Sequence, residues 1–165
     1  MGLLKISSAA LVCALCILMA HSCLAQSPDP PPPKPRDPTP QEWVDAHNAH
    51  RAPEGVVLMH WNESLAAYAG NYIKKIAPNC MHEHSGGPYG ECLFQGDGAA
   101  TAKEIVDYWA SEKKYWDPKS KKCEEGQDCG HYLQVVNPNS PSLGCAKAKC
   151  GNDVWYHIDI CSYTW

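Results

Sequence analysis

Cysteine placement constrains this 165-residue chain more than any other feature of it. Of ten cysteines, Cys13, Cys16 and Cys23 fall in an apolar leader, which leaves 10 − 3 = 7: Cys80, Cys92, Cys123, Cys129, Cys145, Cys150 and Cys161. Dense cysteine behind a secretory leader implies a disulfide-stapled fold made in an oxidising compartment, and an odd number leaves one thiol over. The leader itself opens with the short basic stretch Met1 to Lys5. Ile6 to Ala20 is apolar but too short to span a bilayer comfortably, and Cys23-Leu24-Ala25 offers the small residues that signal peptidase needs. Residues 1–25 are therefore read as a cleaved signal peptide and the protein as secreted to the extracellular space, since no basic stop-transfer run follows.

Pro28 to Pro40 reads Pro-Asp-Pro-Pro-Pro-Pro-Lys-Pro-Arg-Asp-Pro-Thr-Pro. Prolines lack the amide donor and hold φ near the polyproline II value. Residues 26–40 are expected to form a stiff solvated linker whose candidate partner is a cell-wall polymer. The remainder, residues 41–165, is one domain of 165 − 40 = 125 residues, large enough to bury a core. Six Trp and eight Tyr against a single Phe predict a core with polar handles that need hydrogen-bond partners. The formal charge is −4, and Lys5 is the only charged residue of the leader, so the mature chain stands near −4 − 1 = −5. That balance argues against a nucleic-acid partner.

Thr39-Pro40-Gln41-Glu42 is a capping box with proline at the first helical position, which predicts a helix over 40–51. His47 and His50 lie on the Trp43 face of it, where packing or solvent bridging is expected of them. Asn62 can cap a second helix, along which Leu65, Tyr68, Ala69, Tyr72, Ile73 and Ile76 recur at helical spacing. Asn62 also opens an Asn-x-Ser glycosylation pattern, but a capping side chain is a poor acceptor. Met81 to Glu91 holds Gly86, Gly87, Pro88 and Gly90, too many turn residues for regular structure, and is a binding-loop candidate. Thr101 to Glu104 is a second capping box, opening a helix that Asp117-Pro118 stops. Ile105, Trp109, Glu112 and Trp116 fall on one stripe of that helix, so Glu112 faces the core and needs a partner. Ser142 to Cys150 and Val154 to Ser162 read as an antiparallel hairpin, with Val154, Tyr156, Ile158 and Ile160 on one face. Cys145 and Cys150, an odd number of residues apart on one strand, point to opposite faces and must reach different partners.

Cys129-Gly130-His131-Tyr132-Leu133-Gln134-Val135-Val136 holds a titratable ring between a glycine and an apolar run. With His84, Glu91 and Glu112 it supplies two imidazoles and two carboxylates able to share one cavity. Imidazole pairs suit zinc, so a weakly bound divalent cation on His84 and His131 is expected, although no cofactor is required. With Glu91 or Glu112 as general base, the same set describes a metal-dependent secreted hydrolase. The chain has no His-Glu-x-x-His and no Gly-x-Ser-x-Gly, and Ser85 reads as a turn serine, so no catalytic residue is assigned. The competing account is a metal-free hydrogen-bond network that serves folding.

The spaced motifs Ala46-His47-Asn48, Leu65 to Ala69, His84-Ser85, Tyr89-Gly90-Glu91, Trp109 with Glu112, Tyr115-Trp116-Asp117 and Cys129 to Val136 resemble the CAP superfamily (cysteine-rich secretory proteins, antigen 5 and pathogenesis-related proteins). Within it the plant pathogenesis-related class-one proteins are the most similar. The resemblance implies an α+β fold, a three-layer α-β-α sandwich with a central antiparallel sheet, and a cavity lined by His84, Glu91, Glu112 and His131. It also implies the disulfides Cys80–Cys150, Cys123–Cys129 and Cys145–Cys161, which leaves Cys92 as the free thiol. The implied function is plant defence by a monomer that binds sterol or another lipid of pathogen membranes and acts against fungi or oomycetes. The loop associated with sterol in the family corresponds here to the segment that opens with Tyr115, Trp116, Asp117 and Pro118. Two departures stand out. Cys92 replaces the asparagine usual after the cavity glutamate, and the chain stops at Cys161-Ser162-Tyr163-Thr164-Trp165, without the family's extended tail.

Overall fold

The computed structural model of the protein describes residues 36–153 and 155–164. The signal peptide, its cleavage site and linker residues 26–35 lie outside the described residues. Helix α1 (Pro40–Arg51) starts where local chemistry placed it: Glu42 donates its amide to the Thr39 hydroxyl, and its carboxylate accepts from the Thr39 amide at 2.7 Å. Helix α2 (Glu63–Ile76) is capped by Asn62, whose side chain accepts from the amides of Ser64 and Leu65. After α3 (Ala102–Ala110) comes a 3-10 turn, Ser111–Tyr115, and the short helix α4 is Gly130–Val135.

Strands β1 (His60–Trp61), β2 (Gly90–Asp97), β5 (Ser142–Lys149) and β6 (Tyr156–Tyr163) form one sheet in the order β1-β5-β6-β2. The two long pairings, β2–β6 and β5–β6, are antiparallel, and β1 adds to β5 in parallel. A separate small hairpin joins β3 (Trp116–Asp117) to β4 (Lys122–Cys123). Ala69, Ile73 and Ile76 of α2 cover one face of the sheet, against Leu93, Ile158 and Ile160. Trp43 of α1 and Ile105 and Trp109 of α3 cover the other, against Leu143, Cys145, Cys161 and Tyr163. Helix, sheet and helix make the expected three layers. Gly144 allows the close seating of α2, because a β-carbon there would run into the backbone of Leu65 and Ala66.

β6 departs from the expected one-sided alternation. It lies between β5 and β2 with helices on both sides, so Ile158 to Tyr163 are all buried, whereas Tyr156 at its start is exposed. A two-sided strand can hold a carboxylate only at a cost. Asp159 is fully buried, neither of its oxygens accepts a hydrogen bond from the described residues, and Lys147 Nζ stands 3.9 Å away. Burial pushes its carboxyl up to about 7, against the pull of Lys147.

Three disulfides staple the layers: Cys80–Cys150, Cys123–Cys129 and Cys145–Cys161. Cys145 and Cys161 stand directly opposite each other with Cα atoms 4.0 Å apart. This is the narrow, non-hydrogen-bonded type of antiparallel pair. The amide and carbonyl of Cys161 therefore point the other way, toward β2, where Cys92 is its direct partner in the wide type of pair. One row across three strands thus carries three sulfurs, and the narrow pairing brings Cys145, rather than Cys92, closest to Cys161.

Candidate functional site

α4 begins without help from its own N-cap, since the side chain of Cys129 makes no capping bond. Glu112 supplies the cap from outside. Its Oε2 accepts from the amides of His131 (2.9 Å) and Tyr132 (3.2 Å), and its Oε1 accepts from His131 Nδ1 at 2.6 Å. A carboxylate on the free amides at a helix start satisfies both hydrogen bonding and the helix dipole. The expected continuous helix to Asp117 is corrected here: α3 stops at Ala110, and the tighter pitch of Ser111–Tyr115 turns Glu112 toward α4. Trp116 sits half-buried on β3 and is not a core position. Trp109 remains at the centre, stacked on His131 at 6.1 Å and on Trp43 at 6.3 Å.

Glu91 opens β2 and is engaged just as fully. Its Oε2 accepts from the Ser85 amide at 2.8 Å, its Oε1 from the Ser85 hydroxyl, and His84 Nδ1 lies 3.4 Å from Oε2. With its proton given to Glu91, Ser85 Oγ accepts from Tyr68 (2.8 Å) and from the Gly87 amide (3.0 Å). Ser85 is thus the partner that sequence reasoning passed over as a turn residue. Its position next to His84 in a glycine-rich loop was the available signal. His84, Glu91 and His131 line a cavity of about 460 Å³ together with His82, Tyr89 and Gln134. Glu112 does not line it. The fourth expected member stands behind His131, because capping α4 draws its carboxylate to the backbone. Among the described residues no group of three or more His, Cys, Asp or Glu side chains is placed to hold a metal ion. Tyr115 to Lys122 lie outside the cavity on the β3–β4 hairpin, where Asp117 ties the turn by accepting from the Lys119 amide and the Ser120 hydroxyl.

Replacing Glu112 tests the external cap. Glu112→Ala strands two amides and the His131 ring and is expected to lower stability by about 2–4 kcal/mol in urea melts, whereas Glu112→Gln, which keeps an acceptor, should cost about half as much. A loss under about 0.5 kcal/mol for the alanine variant would show that α4 holds without it.

Behind the cavity wall His47 is fully buried: its Nδ1 donates to the Trp43 carbonyl at 2.7 Å and its Nε2 accepts from Tyr163 at 2.9 Å. Burial lowers its pKa to about 4, so the ring is neutral and structural. Cys92 is buried against Tyr163, and burial pushes its thiol well above the usual range. Alkylation of native protein should therefore label no cysteine, and alkylation in denaturant without reductant should label Cys92 alone, as read by mass spectrometry. A label on any other cysteine would contradict the pairing.

Residues 44–163 match the family model described as CAP, the cysteine-rich secretory protein family. Pathogenesis-related protein 1A of Nicotiana tabacum is 42% identical over 150 residues, which are 90% of this chain and 82% of the relative. The PR-1-type pathogenesis-related protein of Sambucus nigra is 39% identical over 159 residues, covering 95% and 87%. Among solved structures, venom allergen-like protein 4 of Schistosoma mansoni superposes with a TM-score of 0.60 at 21% identity, covering 75% of this chain and 86% of that one. Na-ASP-1 gives 0.63 at 20% identity, covering 84% and 43%. The sheet order, the three staples and the extent of these matches place the chain in the CAP family, among its plant pathogenesis-related class-one proteins.

Proposed function

We propose that this protein is a secreted binding protein of plant defence, which takes up a sterol or related lipid of fungal or oomycete membranes and needs no catalytic step. The observation that carries binding over hydrolysis is that the acids lining the cavity, Glu91 and Asp128, are engaged by their own chain, while Glu112 stands outside it. Glu91 is held through both oxygens by Ser85, Asp128 accepts from the Gly130 amide, and Glu112 is turned onto α4 and the His131 ring, so each of these carboxylates already serves the fold, whereas a general base is one positioned on a substrate water. Three disulfides support secretion. For the lipid, the β3–β4 hairpin offers half-buried Tyr115 and Trp116 at its base and an exposed turn, closed by Cys123–Cys129. Replacing Lys119 to Lys122 by a short Gly-Ser segment, with both cysteines kept, is expected to abolish pull-down of labelled ergosterol, while His131→Ala leaves it intact. The reverse pattern would move the ligand into the cavity.

One geometric feature favours a divalent cation as a second ligand. His84 and His131 each turn Nδ1 toward a carboxylate, the arrangement that orients an imidazole to ligate through Nε2. Two such ligands bind zinc weakly. Calorimetric titration with Zn²⁺ should give heat that His131→Ala removes, and absence of heat from the unaltered protein would leave the four residues a structural network.

A further inference from the structure

We infer that the outer edge of β2 carries a second binding site, one for the chain of a neutral oligosaccharide. Phe94, Tyr108 and Tyr156 line a cleft of about 330 Å³ there, with Gln95, His82 and His131 beside them. Tyr108 is 58% exposed and Tyr156 39%, so both rings present surface to an incoming ligand, and Phe94 holds Tyr108 edge-on with centroids 5.7 Å apart. Rings that are open on one side and braced on the other suit the apolar faces of sugar rings. No Lys, Arg, Asp or Glu is among the described residues lining the cleft, so an anionic or cationic ligand would find no counter-charge.

The polar groups are acceptors in the main. Gln95 gives its amide hydrogens to the Cys80 carbonyl at 3.2 Å and to the sulfurs of the Cys80–Cys150 disulfide, which leaves Oε1 to accept. His131 has Nδ1 held by Glu112, which leaves Nε2. Hydroxyl groups are the donors such a set requires. The cleft also adjoins the larger cavity, since His82 and His131 line both. A continuous trough favours a chain-like ligand over a compact one.

The edge geometry argues against a peptide strand in the same place. Because Cys92 turns its amide and carbonyl toward β6, those of Glu91, Leu93 and Gln95 point outward. The central one of the three carbonyls, that of Leu93, is already taken by Trp109 Nε1 at 3.0 Å. An added strand would lose a bond in the middle of its ladder.

The test is calorimetry on the secreted protein with neutral hexasaccharides of glucose and of N-acetylglucosamine, beside a proline-rich peptide of similar length. Saturable binding of at least one hexasaccharide is expected, weakened roughly tenfold by Tyr108→Ala and by Tyr156→Ala and retained by Tyr108→Trp. Both positions are exposed, and near-ultraviolet circular dichroism checks that each variant is folded. Replacement of Lys119 to Lys122 should leave saccharide binding unchanged, so this site stands or falls independently of the sterol reading. No binding of either hexasaccharide, binding indifferent to both alanine variants, or binding of the peptide alone would overturn it.

Discussion

Trp109→Ala is expected to cost about 4–5 kcal/mol and to lower Tm by roughly 10–20 °C. The indole is fully buried between Trp43 and His131, with His47 at 6.2 Å, and its Nε1 donates to the Leu93 carbonyl. Truncation removes a fully buried tryptophan, opens a cavity where three elements meet, and leaves a carbonyl without its donor. Against a total stability of about 5–15 kcal/mol, that loss brings the domain close to unfolding at physiological temperature. Trp109→Phe should cost about 1–3 kcal/mol, because it keeps most of the stacking area and loses the hydrogen bond. The His131 ring rests on Trp109, so its NMR signals should broaden or shift in the alanine variant. A loss near 1 kcal/mol for Trp109→Ala, with unchanged His131 signals, would show that α4 and the Trp43 layer hold the site without the indole.

Removal of the disulfides is expected to rank by the chain length each one closes. Cys80–Cys150 spans 70 residues, Cys145–Cys161 spans 16 and Cys123–Cys129 spans 6. The loop-entropy relation assigns them about 4, 3 and 2 kcal/mol in that order. Cys80–Cys150 also joins the 3-10 turn after α2 to the β5–β6 turn, beside the bond that the Gly151 amide donates to the Ala77 carbonyl at 2.8 Å. Paired serine substitutions, followed by urea melts under non-reducing conditions, give the three values. If the Cys123–Cys129 pair proves the costliest, then clamping of the β3–β4 hairpin, rather than restriction of the unfolded chain, is the main contribution. The Cys145–Cys161 pair calls for alanine as well as serine, because both positions are buried and a hydroxyl there would need a partner.

Elements set by neighbours within about four residues were legible in the sequence. The capping boxes at Thr39 and Thr101 stand where they were read, and so do the Asn62 cap and the apolar stripe Leu65, Ala69, Ile73, Ile76. The β5–β6 hairpin followed from its turn and alternation. The end of α3 was not legible, because Ser111 to Tyr115 has the composition of a helix and tightens only where Glu112 reaches α4. Nor was the two-sided burial of β6, which depends on its place between β5 and β2, an order that strand patterns do not reveal.

The sequence by itself determined the family, the helix starts, the presence of staples and three residues that line the cavity, His84, Glu91 and His131, all of which rest on local spacing and motif. Only the tertiary structure decided how the four expected cavity residues divide. Glu91 is bound by Ser85 on the cavity wall, and Glu112 stands behind His131 as the cap of a helix twenty residues further on. It also decided that Arg51 is buried without an acidic partner among the described residues, donating instead to the carbonyls of Val57 and Val135. The physical reason is common to these cases: a charged group removed from water takes whichever donors or acceptors the packed layers bring within about 3 Å, and those come from residues distant in the chain.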